Sequence, residues 1–273
     1  MYDNYSVLMS VYFKEKPEYL RESMESILRQ TVKTNDFVLV CDGPLNDGLD
    51  AVIREMQEKF ENALRVVRIE KNSGLGNALN VGLRYCENKL VARMDSDDIS
   101  LPERCEKQLK AFAADSELSI CSGKIEEFEG STENIFGKRE LPLKHEEITA
   151  FSKKRNPFNH PAVMFKKAAV LSAGSYSEKF PLFEDYYLWV RMLQNGERAI
   201  NLRTTLVLMR TPRDMYLRRG GRKYARDMLR FHRWMLNEGW SSAKNYIFGA
   251  LPHAVVCILP NIFRKLVYSI LHK

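Results

Sequence analysis

The sequence has few cysteines, and they are not arranged to bind a metal or to form disulfides. The 273 residues include five, which are scattered along the chain, and no CxxC pair is present. Structural zinc sites and disulfide frameworks need paired cysteines at short spacings, so the pattern argues against both. Most of these cysteines lie in apolar runs, where a thiol serves as a small core side chain in a reducing compartment.

The N-terminus lacks the features of a secretory signal. Residues 1–4, MYDN, have no basic stretch and are not followed by the long apolar core of a signal peptide. The sequence also has no aromatic RNP run of the kind that binds RNA. We therefore expect a cytoplasmic protein with no nucleic-acid partner.

Net positive charge is absent from most of the chain and confined to its last quarter. Residues 203–273 contain 14 Lys/Arg against 3 Asp/Glu, a net +11, whereas residues 1–202 contain 28 against 32, a net −4. A basic excess confined to one segment predicts an anionic partner for that segment alone, such as a membrane surface.

Strand and helix patterns alternate along the first half of the chain. Strands are predicted at 5–13, 37–43, 64–70 and 89–95, and helices beginning at Pro17, at 49–60, at 74–87 and beginning at Pro102. Repeated strand–helix units of this length indicate an α/β fold with a mostly parallel central sheet flanked by helices. Ligands of such sheets bind beyond the carboxyl ends of the strands.

The alternation ends near residue 118. A longer strand is predicted at 118–130, a short strand at 160–165, and a helix at 184–195 that Gly196 closes. After residue 210 the chain becomes basic and aromatic, which places a boundary near Pro212.

Three aspartates follow the fourth predicted strand in the segment RMDSDD. Asp95, Asp97 and Asp98 lie at the mouth of a buried strand, where like charges disfavour one another's ionisation. An EF-hand is excluded because Ile99 and Ser100 stand where its loop needs Asp/Asn and Gly. A polar turn whose acids face a helix dipole remains an alternative. The other interpretation is a DxD motif that holds Mg²⁺ or Mn²⁺ against a nucleotide diphosphate.

Five segments together resemble the motifs of the family 2 glycosyltransferases with the GT-A fold. They are SVLMSVYF, LVCDG, NSGLGNALN, RMDSDD and FEDYYLW, which occur in the order and spacing of the family between residues 5 and 210. Each motif is loose, but five in the correct order are specific. The sequence looks most like bacterial enzymes of exopolysaccharide and O-antigen assembly, including the amylovoran-biosynthesis type. The departure is Cys41, where the family commonly has an aspartate.

The resemblance implies a division of the chain. Residues 1–211 would form the GT-A catalytic domain, with a nucleotide-sugar half at 1–117 and an acceptor half at 118–211. Residues 212–273 would form a C-terminal helical extension that is basic and apolar. The implied reaction is inverting transfer of a sugar from a UDP-sugar to a saccharide acceptor.

The resemblance also implies a donor site. Ser10 and Tyr12 would line the base and ribose, and Asp42 would accept a hydrogen bond from the uracil imide. Other implied donor residues are Asn72, Gly74 and Asp95, and Asp97 would ligate the metal. A carboxylate does suit an N–H donor better than a phosphate. The alternative for Asp42 is a turn former before Gly43.

On the acceptor side the resemblance makes Asp185 the general base. Glu184, His160 and Trp189 are acceptor candidates. Each has a structural alternative: the carboxylates face a helix N-terminus, His160 precedes a proline, and Trp189 has core spacing. Arg218 and Arg219, beside two glycines, either close over the diphosphate or form a solvated basic stretch.

Two other function classes were weighed. A nucleotidyltransferase would carry a glycine-rich first loop, and SVYFKEKPE has no glycine. A non-catalytic sugar-binding or membrane-scaffold protein would not need carboxylates on both the metal and acceptor sides. The segment RFHRW at 230–234 is similar to the QxxRW motif of processive synthases, but the set of membrane spans of those enzymes is absent, so we expect one sugar per acceptor visit.

The end of the chain, residues 245–273, is apolar with a basic terminus. Its uncharged run from 245 to 263 is just long enough to span a bilayer, but Pro252 and Pro260 interrupt it. We expect this segment to lie in the interface of an anionic membrane, with Arg230, Arg233, Arg264 and Lys265 on the headgroups. A lipid-linked acceptor would then be reached at the cytoplasmic face. The alternative is packing on the catalytic domain or on a second subunit.

Overall fold

The computed structural model describes residues 2–212 and 220–259. The four predicted strand–helix units are confirmed. The strands are β1 (Tyr5–Val11), β2 (Asp36–Asp42), β3 (Leu64–Ile69) and β4 (Leu90–Asp95), and the helices are α1 (Pro17–Leu28), α2 (Asp47–Phe60), α3 (Leu75–Tyr85) and α4 (Arg104–Ala114). The fourth helix begins two residues after Pro102.

The second half of the chain adds shorter elements around a long strand. They are β5 (Ile99–Ser100), β6 (Leu118–Phe128), β7 (Ile135–Arg139), α5 (His145–Ser152), β8 (Met164–Lys166), α6 (Lys167–Ser172), α7 (Glu184–Gln194) and β9 (Arg198–Arg210). The strand predicted at 160–165 is partly wrong: His160–Ala162 form a 3₁₀ turn, and the strand begins at Met164. Pro161 has no N–H to give to a sheet, which favours the turn.

The described strands form one nine-stranded sheet in the order β3-β2-β1-β4-β8-β6-β9-β5, with β7 paired to β6. The first four run parallel, β8 is antiparallel to both of its neighbours, and β6 is parallel to β9. The carboxyl ends of β2, β1 and β4 are therefore adjacent, and Ser10 pairs in register with Asp95.

Helices cover both faces of the parallel part of the sheet. Along β1, Val7 and Met9 pack with α1, α2 and α4, whereas Leu8 packs on the other side with α3, α6 and α7. The alternation of side chains along a strand produces these two cores. Because both faces are buried, every residue of β2 is buried, Asp36 and Asp42 included.

The C-terminal part contains α8 (Arg222–Asn237), α9 (Ala243–Asn245), a π-helical turn (Tyr246–Ala250) and α10 (Leu251–Ile258). Helix α8 packs against α7 through an aromatic cluster, in which Phe231 is fully buried among Phe183, Tyr186 and Tyr187. This part thus shares a hydrophobic cluster with α7. Among the residues that the structure describes, no helix is both long and apolar enough to cross a membrane.

Candidate active site

The carboxylate of Asp42, at the end of β2, organises the loop before α3. It accepts hydrogen bonds from the backbone N–H of Ser73 at 2.7 Å, from the Ser73 hydroxyl at 3.0 Å and from the N–H of Gly74 at 3.0 Å. The side chain of Asn72 donates to the Asp42 carbonyl at 3.1 Å. The structure therefore brings these predicted donor residues together. Contact of Asp42 with a uracil stays a prediction, because its carboxylate already holds the loop.

Asp95 ends β4 beside Ser10 and is paired with a residue that the sequence analysis did not select. The guanidinium of Arg93 donates to both carboxylate oxygens of Asp95. Arg93 is 1% exposed, whereas the side chain of Asp95 is 32% exposed. Side chains two apart on a strand lie on one face, so the sequence RMD did contain the signal for this pair. Part of the positive charge that the aspartates require is thus supplied by the protein.

The other two aspartates of the motif lie in different surroundings. Asp98 is buried and accepts the backbone N–H of Arg210 at 2.8 Å, which ties β9 to the motif. Burial and the adjacent carboxylates of Asp97 and Asp95 raise the pKa of Asp98 well above its usual value. Burial and the carboxylates of Asp95 and Glu15 raise the pKa of Asp97 to about 7. Glu15 approaches from the loop after β1 and accepts the Ser96 hydroxyl at 2.8 Å.

The surroundings of Asp97 would favour a bound cation. A carboxyl whose ionisation is disfavoured by burial and by two like charges gains from a cation that neutralises them. Among the described residues, no group of three or more His, Cys, Asp or Glu side chains is arranged to hold a metal ion. Mg²⁺ and Mn²⁺ are suited to such a site, because they take one or two carboxylates and complete their shell with phosphate oxygens and water.

The acidic pair Glu184 and Asp185 begins α7 and lies beside the first turn of α3. A Cβ atom added to Gly76 would lie 3.7 Å from the Cβ of Glu184, so the two helix starts are in contact. Asp185 accepts the side-chain amide of Asn156 at 2.7 Å and the N–H of Tyr186 at 2.7 Å. Burial raises the pKa of Glu184, and the Asp185 charge adds to that effect.

His160 is a buried, hydrogen-bonded residue beside Tyr176 and Trp189. Its Nε2 and the Tyr176 hydroxyl share a hydrogen bond at 3.0 Å. Burial lowers the pKa of His160 well below its usual value, and the nearby guanidinium of Arg93 acts in the same direction. Tyr176 is itself fixed to α3, because Asn80 donates to its carbonyl and accepts from its N–H. The geometry agrees with the structural alternative for His160.

One predicted position needs correction, and two others lie outside the described residues. Trp189 is fully buried against Phe158 and Phe165, so its ring offers no surface to an acceptor sugar and that prediction is wrong. Tyr186 and Tyr187, at 4% and 8% exposed, are likewise packed in the core. Tyr12 directly follows β1 and is 42% exposed. Arg218 and Arg219 lie outside the described residues.

Some residues of the site had no signal in the sequence. Glu15, Asn156, Tyr176 and Arg210 come from separate parts of the chain, and each reaches the site from a loop or a strand end. Arg210 connects several of these parts. Its Nε donates to the Asp97 carbonyl at 3.0 Å, and its guanidinium lies 3.9 Å from the centre of the Tyr19 ring.

Comparison with known families now identifies the chain. Residues 6–173 match the model of glycosyl transferase family 2. The protein is a member of this family. The carboxylates described above, at the ends of β2 and β4 and at the start of α7, are thus those of a family 2 glycosyltransferase.

Two curated relatives align over most of the family 2 chain. It is 41% identical over 233 residues to the amylovoran biosynthesis glycosyltransferase AmsE of Erwinia amylovora, covering 85% of each chain. It is 36% identical over 265 residues to an Escherichia coli protein, covering 97% of this chain and 95% of that one. That relative is named UDP-Gal:alpha-D-GlcNAc-diphosphoundecaprenol beta-1,3-galactosyltransferase.

Solved structures share the GT-A fold. A mannosyltransferase of Pyrobaculum calidifontis, in complex with GDP-Man and Mn²⁺, superposes with a TM-score of 0.66 at 17% identity, covering 99% of this chain and 81% of that one. Residues 1–349 of Staphylococcus aureus TarS, in complex with UDP-GlcNAc, superpose with a TM-score of 0.63 at 20% identity, covering 86% of this chain and 67% of that one. The chain spans 40% of a longer TarS chain. The predicted GT-A fold is confirmed.

Proposed function

We propose that this glycosyltransferase moves a sugar from a UDP-sugar to a lipid-linked saccharide, with inversion, in the assembly of a bacterial surface polysaccharide. The observation that carries the proposal is the approach of carboxylates from two elements: burial raises the pKa of the Tyr176 hydroxyl, and the charges of Asp185, Asp95 and Glu184 all add to that effect. Asp95 and Asp97 lie on the β4 side and Glu184 and Asp185 on the α7 side. The buried Arg93 is close enough to affect the charge of both groups.

On the acceptor side, Asp185 is the proposed general base. An inverting transfer needs one carboxylate that takes the proton of the acceptor hydroxyl as its oxygen attacks the anomeric carbon. Asn156 holds one oxygen of Asp185 at 2.7 Å, which fixes the direction in which the carboxylate faces. Glu184 is the competing candidate, because burial raises its pKa toward the range that suits a base.

On the donor side, Ser10, Tyr12, Asn72 and Gly74 line the proposed nucleotide position. Asp42 holds the loop of Asn72 and Gly74 through its carbonyl and its carboxylate. Asp95 faces the ribose or the donor sugar. Mn²⁺ or Mg²⁺ would be held by Asp97 and the donor diphosphate. When bound, this ion supplies charge stabilisation for the departing nucleotide diphosphate.

The relatives support the substrate classes. The Escherichia coli relative is named for a UDP-Gal donor and a diphosphoundecaprenol-linked acceptor, and the TarS complex contains UDP-GlcNAc. The archaeal neighbour contains GDP-Man with Mn²⁺, and a second neighbour, GalNAc-T7, contains UDP, GalNAc and Mn²⁺. A UDP-sugar, a divalent ion and a lipid-linked acceptor form a consistent set. We further propose a peripheral location at the cytoplasmic face of the membrane, where a lipid-linked acceptor is reached.

The proposal is tested by screening nucleotide sugars for metal-dependent hydrolysis and then supplying lipid-linked acceptors. Asp97→Asn should remove nearly all turnover, whereas Asp115→Asn, outside the candidate active site, should not change it. Full activity in excess chelator would disprove the metal role. The anomeric configuration of the product, read by NMR, tests inversion. Release of pyrophosphate from UTP and a sugar phosphate would instead indicate a nucleotidyltransferase.

The base is assigned by comparing Asp185→Asn with Glu184→Gln. Asp185→Asn should abolish transfer while calorimetry still detects UDP binding, because the proposal assigns this residue to the acceptor side. Glu184→Gln should retain transfer. If the two variants behave in the reverse way, Glu184 is the base. Loss of UDP binding by a folded Asp185→Asn variant would place Asp185 in the donor site.

A further inference from the structure

The last helical segment of the described chain has its small side chains inside and its large apolar ones outside. Ala250, Ala254 and Cys257 are buried against α8, and the N–H of Gly221 donates to the Cys257 carbonyl at 2.7 Å. The opposite side, called here the outer face, consists of Ile247, Phe248, Leu251, Val255 and Ile258, which are 38% to 75% exposed. A helix face in water ordinarily carries polar side chains, so we expect the outer face to bind an apolar partner.

A row of arginines runs beside this segment. Arg222, Arg226, Arg230 and Arg233 are spaced four, four and three residues apart on α8, which places them on one face of the helix. All four are exposed, and with Tyr246 and Ile258 they line a groove of about 310 Å³. The carboxylate of Asp227 is 3.9 Å from Arg226 Nε and 3.7 Å from Arg230 Nη1, so the arginine row keeps an excess of positive charge.

We propose that the outer face and the arginine row together dock the protein on an anionic lipid bilayer. The large apolar side chains would enter the boundary between headgroups and acyl chains, and the arginines would contact lipid phosphates. Because the inner face of the segment is packed on α8, only one face is available to lipid. The segment therefore lies in the plane of the interface.

Charge favours lipid over the two other covers that the chain offers. In a symmetric dimer the same patch is present on both subunits, so two arginine rows would meet and repel. Residues 260–273 carry Arg264, Lys265 and Lys273 and no acidic residue, so they too lack charge complementary to the arginine row. An anionic membrane supplies both an apolar layer and negative headgroups.

Docking in this way also orients the candidate active site. Helix α8 packs directly on α7, whose first turn carries Glu184 and Asp185. The acceptor side would therefore have a fixed position relative to the bilayer. The docking surface would provide the membrane contact that a lipid-linked acceptor requires. This last consequence rests on the proposed function, whereas the docking can be measured without any transfer reaction.

The test is co-sedimentation of the full-length chain with vesicles of phosphatidylcholine that do or do not contain phosphatidylglycerol. We expect binding to the anionic vesicles alone. The double variant Phe248→Glu/Val255→Glu should bind them at least tenfold more weakly. The matched control, Phe136→Glu/Leu171→Glu, changes two side chains that are 39% and 50% exposed on other surfaces, and it should bind as the native protein does.

The arginine row is tested by Arg226→Gln/Arg230→Gln. We expect binding to anionic vesicles to weaken roughly 30-fold, since each basic residue near such a surface contributes about 1 kcal/mol. Its control, Arg54→Gln/Arg84→Gln, makes the same change of net charge at exposed positions on α2 and α3 and should alter binding less than twofold.

Several results would overturn the docking surface. The proposal fails if the protein does not bind anionic vesicles, or if the control variants lose as much vesicle binding as the test variants. It also fails if the protein is a dimer that Phe248→Glu/Val255→Glu dissociates without changing vesicle binding. A lower melting temperature of that variant with unchanged vesicle binding would show that the chain covers its own face. Calorimetry with UDP on each variant separates these results from a failure of the proposed function, because the donor site is far along the chain from the substitutions.

Discussion

Replacing Arg93 with methionine should lower the free energy of unfolding by about 3 kcal/mol. Arg93 is 1% exposed, and both of its terminal nitrogens donate to the carboxylate of Asp95. Removing one partner of a buried ion pair leaves the other charge uncompensated, which costs about 3–5 kcal/mol. The lower end applies because the Asp95 side chain is 32% exposed and water can solvate part of its charge.

The choice of methionine isolates the charge effect. Its long, unbranched side chain fills most of the space that the arginine leaves, so the cavity contribution is small. Once the guanidinium is gone, the nearby acidic side chains of Asp97 and Asp98 disfavour the ionised Asp95. This effect adds to the loss of stability. Arg93 Nε is buried without a hydrogen-bond partner among the described residues, so its removal gives back a small part of the cost.

The measurement is urea unfolding of the metal-free protein at pH 7.5. The double variant Arg93→Met/Asp95→Asn should be more stable than Arg93→Met by at least 1 kcal/mol, because neither partner then leaves a buried charge. A matched control is Arg29→Met. Its guanidinium lies 3.6 Å from Glu25 at the surface, and we expect a change of about 0.5 kcal/mol or less.

Two results would refute this reasoning. A loss below 1 kcal/mol for Arg93→Met would show that Asp95 is already solvated or compensated without the arginine. A double variant no more stable than the single one would show that the loss comes from packing and not from an unpaired carboxylate. Arg93→Lys keeps the charge but not the two-pronged hydrogen bonding, so its stability should fall between the native protein and Arg93→Met.

Three further predictions concern the site and its support. In chelator, the stability of the native protein relative to Asp97→Asn should rise as pH falls from about 7 to 3.8, by at most roughly 1.4 kcal/mol per pH unit. The reason is that the raised pKa of Asp97 makes the folded state bind a proton that the unfolded state lacks. Equal pH dependence of both proteins in urea unfolding would contradict this. Gly43→Ala, at φ +88° with its new Cβ 2.7 Å from Asn72 N, should cost about 1–3 kcal/mol and weaken UDP binding in calorimetry, whereas Gly130→Ala, at φ +72° in open space, should leave UDP binding unchanged. Phe231→Ala should cost about 3–5 kcal/mol in urea unfolding and Phe231→Leu less than half of that; similar small losses for both would show that the aromatic cluster does not hold α8 to α7.

The parallel half of the fold could be predicted because its signals are local. Strands β1 to β4 are short apolar runs between amphipathic helices, and both kinds of period are visible in the sequence. Strand β9 was missed because its burial does not alternate: exposed, half-buried and buried side chains are mixed along its 13 residues. Strand β7 lies beside β6 with every second side chain exposed, and it has too little apolar character to be distinguished from a loop.

The site divides in the same way. Residues at the ends of predicted strands, such as Asp42 and Asp95, were found because strand ends on one sheet edge converge. Asn156 and Tyr176 were missed because their positions depend on loops that pack between α3, α5 and α7, for which no local pattern exists. For Trp189 the sequence leaves an acceptor surface and a core position open, and the packing of β8 and its neighbours shows that the ring is inside.

The three aspartates of RMDSDD are each compensated in a different way, and this explains how one short segment serves several purposes. Asp95 has the guanidinium of Arg93, and Asp98 has the backbone N–H of Arg210. For Asp97, burial and the carboxylates of Asp95 and Glu15 outweigh the guanidinium of Arg93, and its pKa is raised to about 7. The protein thus pairs Asp95 with a buried guanidinium, whereas burial favours the neutral form of both Asp97 and Asp98, and Asp98 is already held by the N–H of Arg210. That asymmetry is the physical basis for proposing Asp97, rather than Asp95 or Asp98, as the residue that meets the metal of the donor complex.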